Sequence, residues 1–246
     1  MKDTITLLNE RKSVRSFDNR TIPQLDQRVI LNAALQAPTA GNMTLYTILN
    51  ITDPKLKLEL AESCDHQAFI ATAPMVLVFC ADYHKWYELF RKNEENTRKP
   101  GTGDLMLAMD DALIASMNTV AAAEALGIGS CYIGDILENY EHVKQLLHLP
   151  QYVVPACMLV LGYPSELQKN RKKPARFDLD DVVQENTYKE KDLRAMLVKQ
   201  TGIVGEAEME DYIIRFRKRK WDSDFSKEMT RSVQAMIDAW NKGEEE

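Results

Sequence analysis

Apolar residues occur in two patterns along this chain, short unbroken runs and sets spaced three or four apart, and the two predict different elements. The stretches Leu45 to Ile51, Met75 to Cys80 and Val153 to Leu161 are rich in apolar and β-branched residues and read as strands. Met75-Val76-Leu77-Val78-Phe79-Cys80 has no charged or amide position, as a strand covered on both faces requires, so it belongs in the middle of a sheet. A shorter strand is predicted over Ser130 to Asp135, where it runs into a glycine turn.

The spaced sets predict helices. Thr4 to Glu10 carries Ile5, Leu7 and Leu8 on an apolar side. A second helix starts at Pro23, a residue suited to a first helical turn, and holds Leu25, Val29, Ile30, Ala33 and Ala34 at helical spacing, ending before Pro38. Further helices are expected from Asp53-Pro54 to Glu62, from Asp65 through Ile70, from Tyr83 to Arg91 and from Glu141 to Leu147. Asp104 to Leu126 is the clearest of all. Its Leu105, Leu107, Met109, Leu113, Ile114 and Met117 leave hardly any polar side, so it is central or lies at a subunit interface. Pro38 to Met43 is a loop of small and polar residues, and Asn93 to Gly103 is charged and Gly/Pro-bearing, as a mobile excursion would be.

At Ser165 the character changes. Gln168 to Arg176 is dense in charge and reads by default as a solvated loop. Beyond Tyr188 the chain is mostly polar helix, including Asp211 to Lys220, and then Phe225, Met229, Val233, Met236, Ile237 and Trp240 recur at helical spacing as a stripe that needs a surface to cover. Helices interspersed with short strands imply an α+β core. Residues 1–188 are taken as that core and 189–246 as a helical extension packed on it or on a second subunit.

Composition narrows the chemistry. The 246 residues carry a net charge of −6, which argues against a general nucleic-acid binder and for a small-molecule partner. Cys64, Cys80, Cys131 and Cys157 form no C-x-x-C pair and read as reduced, buried thiols. No apolar run reaches the roughly twenty residues of a membrane span and no signal-peptide core follows Met1, so a cytoplasmic protein off the membrane is expected. G-x-S-x-G, H-E-x-x-H, the phosphate-binding G-x-x-x-x-G-K-S/T and G-x-G-x-x-G are all absent, so ordinary hydrolysis, metal catalysis and the usual nucleotide cradles lose support.

What remains is a burst of cation and hydroxyl, Arg11-Lys12-Ser13-Val14-Arg15-Ser16, a distant pair, Lys173 and Arg176, and small-residue loops at 38–43 and 130–135. The first cluster reads either as a phosphate grip or as a solvated helix end, where cations favour the negative pole of the dipole. Two cationic groups converging on one phosphate, with tight loops that accept a planar ring, suit a flavin mononucleotide whose own chemistry does the redox work.

Five stretches in order strengthen that idea. Glu10-Arg-Lys-Ser-Val-Arg-Ser-Phe17, Ala37-Pro-Thr-Ala-Gly-Asn-Met43, Ala121 to Gly129 with Tyr132-Ile-Gly134, Leu159-Val-Leu-Gly-Tyr-Pro164 and Lys173-Pro-Ala-Arg176 resemble the flavin-dependent nitroreductase family, in particular its NADPH-preferring oxygen-insensitive nitroreductase and flavin reductase subgroup. The resemblance implies a homodimer built on a central, mostly antiparallel sheet flanked by helices, FMN as cofactor, NADPH or NADH as co-substrate, and nitroaromatic, quinone or flavin acceptors reduced by a ping-pong mechanism. A non-enzymatic flavin-binding or redox-sensing protein of the same fold is the alternative, and a relative that dehalogenates or cleaves its flavin is a third, with the loop 93–103 shaping the pocket.

Residue by residue, the resemblance implies that Arg11, Lys12, Ser13 and Arg15 bind the FMN phosphate and the polar edge of the ring, with Lys173 and Arg176 joining them. Thr39, Ala40, Gly41 and Asn42 would line the ring or ribityl chain near the dimer seam, Gln67 would hydrogen-bond the pyrimidine side, and Tyr132, Ile133, Gly134 and Asp135 would lie against the ring. Arg219, on the basic run Arg215 to Lys220, is either a solvated cation or an attractor for the extra phosphate of NADPH. No side chain need be the acid or base. The chain departs from the family in three places: Ala40 and Gly41 stand where hydroxyls are common, Asp135 stands for a glycine, and Lys173-Pro-Ala-Arg176 is one residue longer than the usual Lys-Pro-Arg, so that Lys172 or Lys173 could be the ligand.

Overall fold

In the computed structural model, which describes residues 3–243, the chain order is α1 (Thr4–Glu10), α2 (Gln24–Leu35), β1 (Tyr46–Ile51), α3 (Pro54–Ser63), α4 (Ala68–Thr72), β2 (Met75–Asp82), α5 (His84–Asn93), α6 (Thr102–Ala125), β3 (Gly129–Ile133), α7 (Tyr140–Leu146), β4 (Val153–Gly162), α8 (Glu166–Asn170), α9 (Leu179–Val182), α10 (Leu193–Thr201), α11 (Glu206–Lys220) and α12 (Asp224–Lys242). Four strands make one sheet in the order β1-β2-β4-β3, every pair antiparallel. The expected α+β class with an antiparallel sheet is what forms.

Alternation along β2 shows why its run is unbroken. Met75, Leu77 and Phe79 face one layer with Ile30, Ala34, Ala112, Ala115 and Val120, from α2 and α6. Val76, Val78 and Cys80 face the other with Leu60, Ile70 and Val143, from α3, α4 and α7. A strand buried on both faces cannot alternate polar and apolar residues, and its register shifts once, at Phe79/Cys80.

Residues up to Arg171 together with those from Glu228 onward form one compact unit, and Lys172–Lys227 form a second. The 188/189 limit expected from composition falls inside that second unit. Within the first, Val233, Met236, Ile237 and Trp240 of α12 pack with Leu45, Ala81, Leu105 and Tyr152, which gives the C-terminal stripe its surface. Trp240 is 1% exposed and its indole donates to the Gly101 carbonyl at 3.1 Å, so the chain just before α6 is tied down. Arg98 adds a two-pronged pair to Asp104, at 2.6 and 2.9 Å. The excursion expected at 93–103 is thus a latched connection.

α6 is central, one of the two places expected for it, and its apolar residues divide between core and surface. Leu105, Ala108, Ala112, Ala115, Thr119 and Ala123 are buried, while Met106, Leu107, Leu113 and Ile114 are exposed by 41 to 58%. By length and composition alone this helix could cross a bilayer, but its inner face is part of the core and carries Asp104 and Asp111.

Candidate functional site

The basic cluster starts on a helix end and leaves it: Arg11 is the C-cap of α1, its amide donating to the Leu7 carbonyl at 2.9 Å. α1 stops at Glu10, and none of its last-turn residues is basic. Arg11 turns to an extended conformation, and the chain then runs along the sheet edge: Val14 donates its amide to the Ser130 carbonyl at 2.9 Å, Ser13 bridges Ser130, and Phe17 bridges Pro164. Val14 is buried against Gly129, where a Cβ would come within 2.4 Å of Val14 Cγ2. Only glycine admits that approach. With Val14 turned inward, the two-residue alternation of an extended chain sends Ser13 and Arg15 to the opposite side together.

Gln168 braces this segment. It is 4% exposed, donates from Nε2 to the Ser13 carbonyl at 3.2 Å and accepts the Arg15 amide on Oε1 at 3.3 Å. It lies in α8, inside the charge run read from sequence as a solvated loop; the helix forms because Ser165 caps it, accepting the Gln168 amide on Oγ. The S-x-x-Q spacing of a capping box, Ser165 to Gln168, was the available signal.

The cations are not equivalent. Arg11 has a buried Nε with no hydrogen-bond partner among the described residues, and it lines a cavity of about 530 Å³ with Glu10, Lys12, Glu124, Gly127 and Lys169. Lys12 spends two of its three donors on the carbonyls of Lys169 and Arg171. Arg15 is exposed.

Gln67 and Asp135, far apart in sequence, meet: Gln67 Nε2 donates to Asp135 Oδ2 at 2.7 Å and to the Cys64 carbonyl at 2.9 Å. Both amide hydrogens are consumed, so what Gln67 has left is an acceptor, its Oε1. Asp135 follows β3 in a 3₁₀ turn, Gly134–Leu137, the glycine turn expected at the end of that strand. The Cys131 thiol, buried in β3, registers the whole neighbourhood. Burial pushes it up; Arg15, the Ser13 hydroxyl and Arg11 pull it back; Asp135 pushes it up again. Cations and carboxylate therefore share one stretch of sheet edge.

Three residues on, Glu138 is buried and its carboxyl is pushed up to about 7, first by burial and then by Asp135, Asp65 and Glu228. The Tyr132 side chain turns the other way: its hydroxyl meets Ser116 Oγ at 2.7 Å, and burial pushes it up to about 12. Its backbone differs. Because Ser130 offers its carbonyl outward to Val14, the Tyr132 amide two residues later points to the same free edge.

Thr39 to Asn42 form one turn on the far edge of the sheet, half-buried at Thr39 and Ala40 and exposed at Gly41 and Asn42. The turn leads into β1, whose Tyr46 pairs Ala81 and, beyond it, Val154 at the start of β4; the basic segment lies beyond β3, near the end of β4. Four strand spacings across and about seven residues along put the two roughly 30 Å apart. The structure does not bring them together in one chain.

Lys173, Arg176 and Arg219 lie in the second unit, where Arg176 lines an apolar groove with Phe177, Tyr212, Phe216 and Trp221, and the Arg219 guanidinium sits 5.7 Å from the Phe216 ring centroid. Among the described residues no cluster of three or more His, Cys, Asp or Glu could hold a metal ion, and all four cysteines are free and buried.

A family model described as the Nitroreductase family matches residues 8–163. The chain is 31% identical over 190 residues to the FMN reductase (NADPH) of Bacillus subtilis, covering 76% of this chain and 75% of that one. It is also 31% identical over 188 residues to the oxygen-insensitive NADPH nitroreductase of Salmonella typhimurium, again 76% and 75%. The structure of B. megaterium NfrA2 superposes with a TM-score of 0.77 at 26% identity, covering 98% of each chain.

Proposed function

The chain belongs to the nitroreductase family, and we infer that it is an FMN-dependent NAD(P)H oxidoreductase that reduces nitroaromatic, quinone or flavin acceptors. The observation that carries this reading is the sheet-edge segment 11–15, held in place by Val14 over Gly129 and by Gln168, with a buried guanidinium nitrogen of Arg11 that has no partner among the described residues. A buried, unpaired charge-bearing group is costly unless an anion completes it, and the FMN phosphate is such an anion. The donor set fits the cofactor.

FMN held by these residues would supply the redox chemistry of a ping-pong cycle between NAD(P)H and the acceptor. Ser13 and Arg15, turned outward together, hold the phosphate with Arg11, and Lys12 has one donor left to add. Gln67, with both hydrogens engaged, presents an acceptor to the imide N–H of the ring's pyrimidine side. The Tyr132 amide and Gly134 lie against the ring edge. Asp135, which stands where a glycine is usual, would disfavour negative charge on the ring, and it holds the Gln67 amide in place. No side chain acts as acid or base; the residues contribute position, on which hydride transfer depends.

The turn 39–42, too distant to reach the same chain's cluster, completes the site of a second copy. A homodimer through α6 is supported by its exposed Met106, Leu107, Leu113 and Ile114. Arg219, exposed on α11, draws the extra phosphate of NADPH by charge. Buried free thiols and a net charge of −6 accord with a cytoplasmic enzyme acting on small molecules.

The test is an absorption spectrum of the purified protein followed by anaerobic titration with NADPH and NADH. Flavin bands that bleach with either nicotinamide are expected, and Arg15→Ala should lose FMN while staying folded. Protein that carries no flavin and takes up none from solution refutes the reading.

A further inference from the structure

The turn at residues 39–45 is held in a conformation its sequence resists. Gly41, Asn42 and Thr44 all have positive φ, at 57, 58 and 51°, and Thr44 is β-branched, the class of residue that tolerates this region least. Local backbone bonds are few: the Asn42 amide reaches the Thr39 carbonyl at 3.3 Å and the Met43 amide reaches that of Ala40 at 3.0 Å. Such a conformation persists only where its surroundings over-determine it.

One side chain does so at both ends of the turn. Asp111, on the inner face of α6 and 3% exposed, accepts the Ala40 amide on Oδ1 at 2.9 Å and the Leu45 amide on Oδ2 at 3.1 Å. No cation is ion-paired with it among the described residues. A buried carboxylate is expensive to keep, and here it is kept on two backbone amides that no apolar residue at this position could satisfy. The two bonds, of ordinary length at 2.9 and 3.1 Å, run from both ends of the turn to one side chain, which suits fixing a geometry. Outside the clamp the turn exposes Gly41 and Asn42, so it is presented to something beyond its own fold.

We propose that Asp111 is a positioning residue for the flavin site, setting the Thr39–Thr44 turn at the place where it meets the cofactor. The proposal rests on the reading that residues 39–42 line FMN, and it adds the group that fixes them there. Two amides converge on two oxygens of a single rigid helix, so the span between Ala40 and Leu45 is fixed by the width of one carboxylate. The exposed tip is then the only part left to approach a ring.

Asp111→Asn tests it. The amide keeps one acceptor and turns a donor toward the second N–H, breaking one jaw of the clamp at nearly constant volume. The control is Asp104→Asn, another buried carboxylate of α6, which holds Arg98 and the Gly101 amide instead. Hydrogen exchange at residues 40–45 should quicken at least tenfold in Asp111→Asn, and FMN should bind at least tenfold more weakly with an altered visible circular dichroism. Asp104→Asn should lower the melting temperature without either change. Should Asp111→Asn fail to fold, Ala40→Pro removes one donor and leaves the helix intact; Thr39 before it is already extended, at φ −133° and ψ 153°, as proline requires. It should weaken FMN binding in the same way. Equal turn exchange and equal FMN affinity in wild type and whichever variant folds would overturn the proposal while leaving the enzyme reading intact; wild-type protein that binds no FMN would overturn both.

Discussion

Glu138 should make the protein's stability fall with rising pH in a range where most proteins are at their best. Its carboxyl is pushed from the 4.5 of a solvated glutamate to about 7, because burial disfavours the charge and Asp135, Asp65 and Glu228 repel it. Between those values the folded chain keeps a proton that the unfolded chain has released. The contribution of Glu138 is therefore fully present below pH 4.5 and is lost as pH rises through 7. The displacement corresponds to about 3 kcal/mol, an upper figure since side chains around Asp135 can relax. Glu138→Gln, which cannot ionise, should unfold like wild type near pH 4.5 apart from a constant offset. By pH 8 it should gain about 3 kcal/mol on wild type, or roughly 6–12 °C in melting temperature for a chain of this length. Denaturant unfolding of both proteins at one FMN concentration, at half-unit steps from pH 4.5 to 8, reads the difference directly. Two curves that stay parallel throughout would mean that Glu138 is solvated or partnered in solution, and the electrostatic reasoning at this end of β3 would be wrong.

Three further outcomes are expected. Gly129→Ala drives a methyl into Val14, so it should cost about 1–3 kcal/mol in denaturant unfolding and also weaken FMN binding, because the strand carrying Ser13 and Arg15 must move. Gln168→Leu keeps the volume but orphans the Arg15 amide and the Ser13 carbonyl; a loss of about 1–3 kcal/mol is expected by thermal unfolding, with FMN affinity falling as well. A disulfide thiol reagent at pH 8 should find no thiol in the native protein and four after denaturation, since Cys64, Cys80, Cys131 and Cys157 are buried and burial raises each of them.

The strands β2 and β4 were legible because a strand covered on both faces has to be apolar at every position, and nothing else in the chain looks like that. α6 was legible for a similar reason, although periodicity could not say that its apolar residues divide between core and surface. Arg11, Ser13 and Arg15 were visible as a cluster. What made them a site was not, because it depends on Gly129 letting Val14 in and on Gln168 reaching across 155 positions to Ser13. Side chains that act on backbone, like Gln168 and Asp111, leave no spacing pattern, since their partners are amides and carbonyls that every residue has. Tyr132 shows the converse limit: the motif located its backbone, but the ring went to Ser116, where the packing had room for it.

The last helix has a consequence for how the chain is made. Met236 and Trp240 complete a cluster begun by Leu45, Ala81 and Leu105, and the whole second unit lies between them and Arg171. During synthesis at about 5–20 residues per second, the roughly 70 residues from Arg171 to Trp240 take about 3–14 s to follow. For that interval the nascent first unit has its sheet but lacks the tryptophan that closes one end of it. Until α12 arrives, the apolar surface beside Tyr152, Leu45 and Ala81 has nothing of its own chain to cover it at that place.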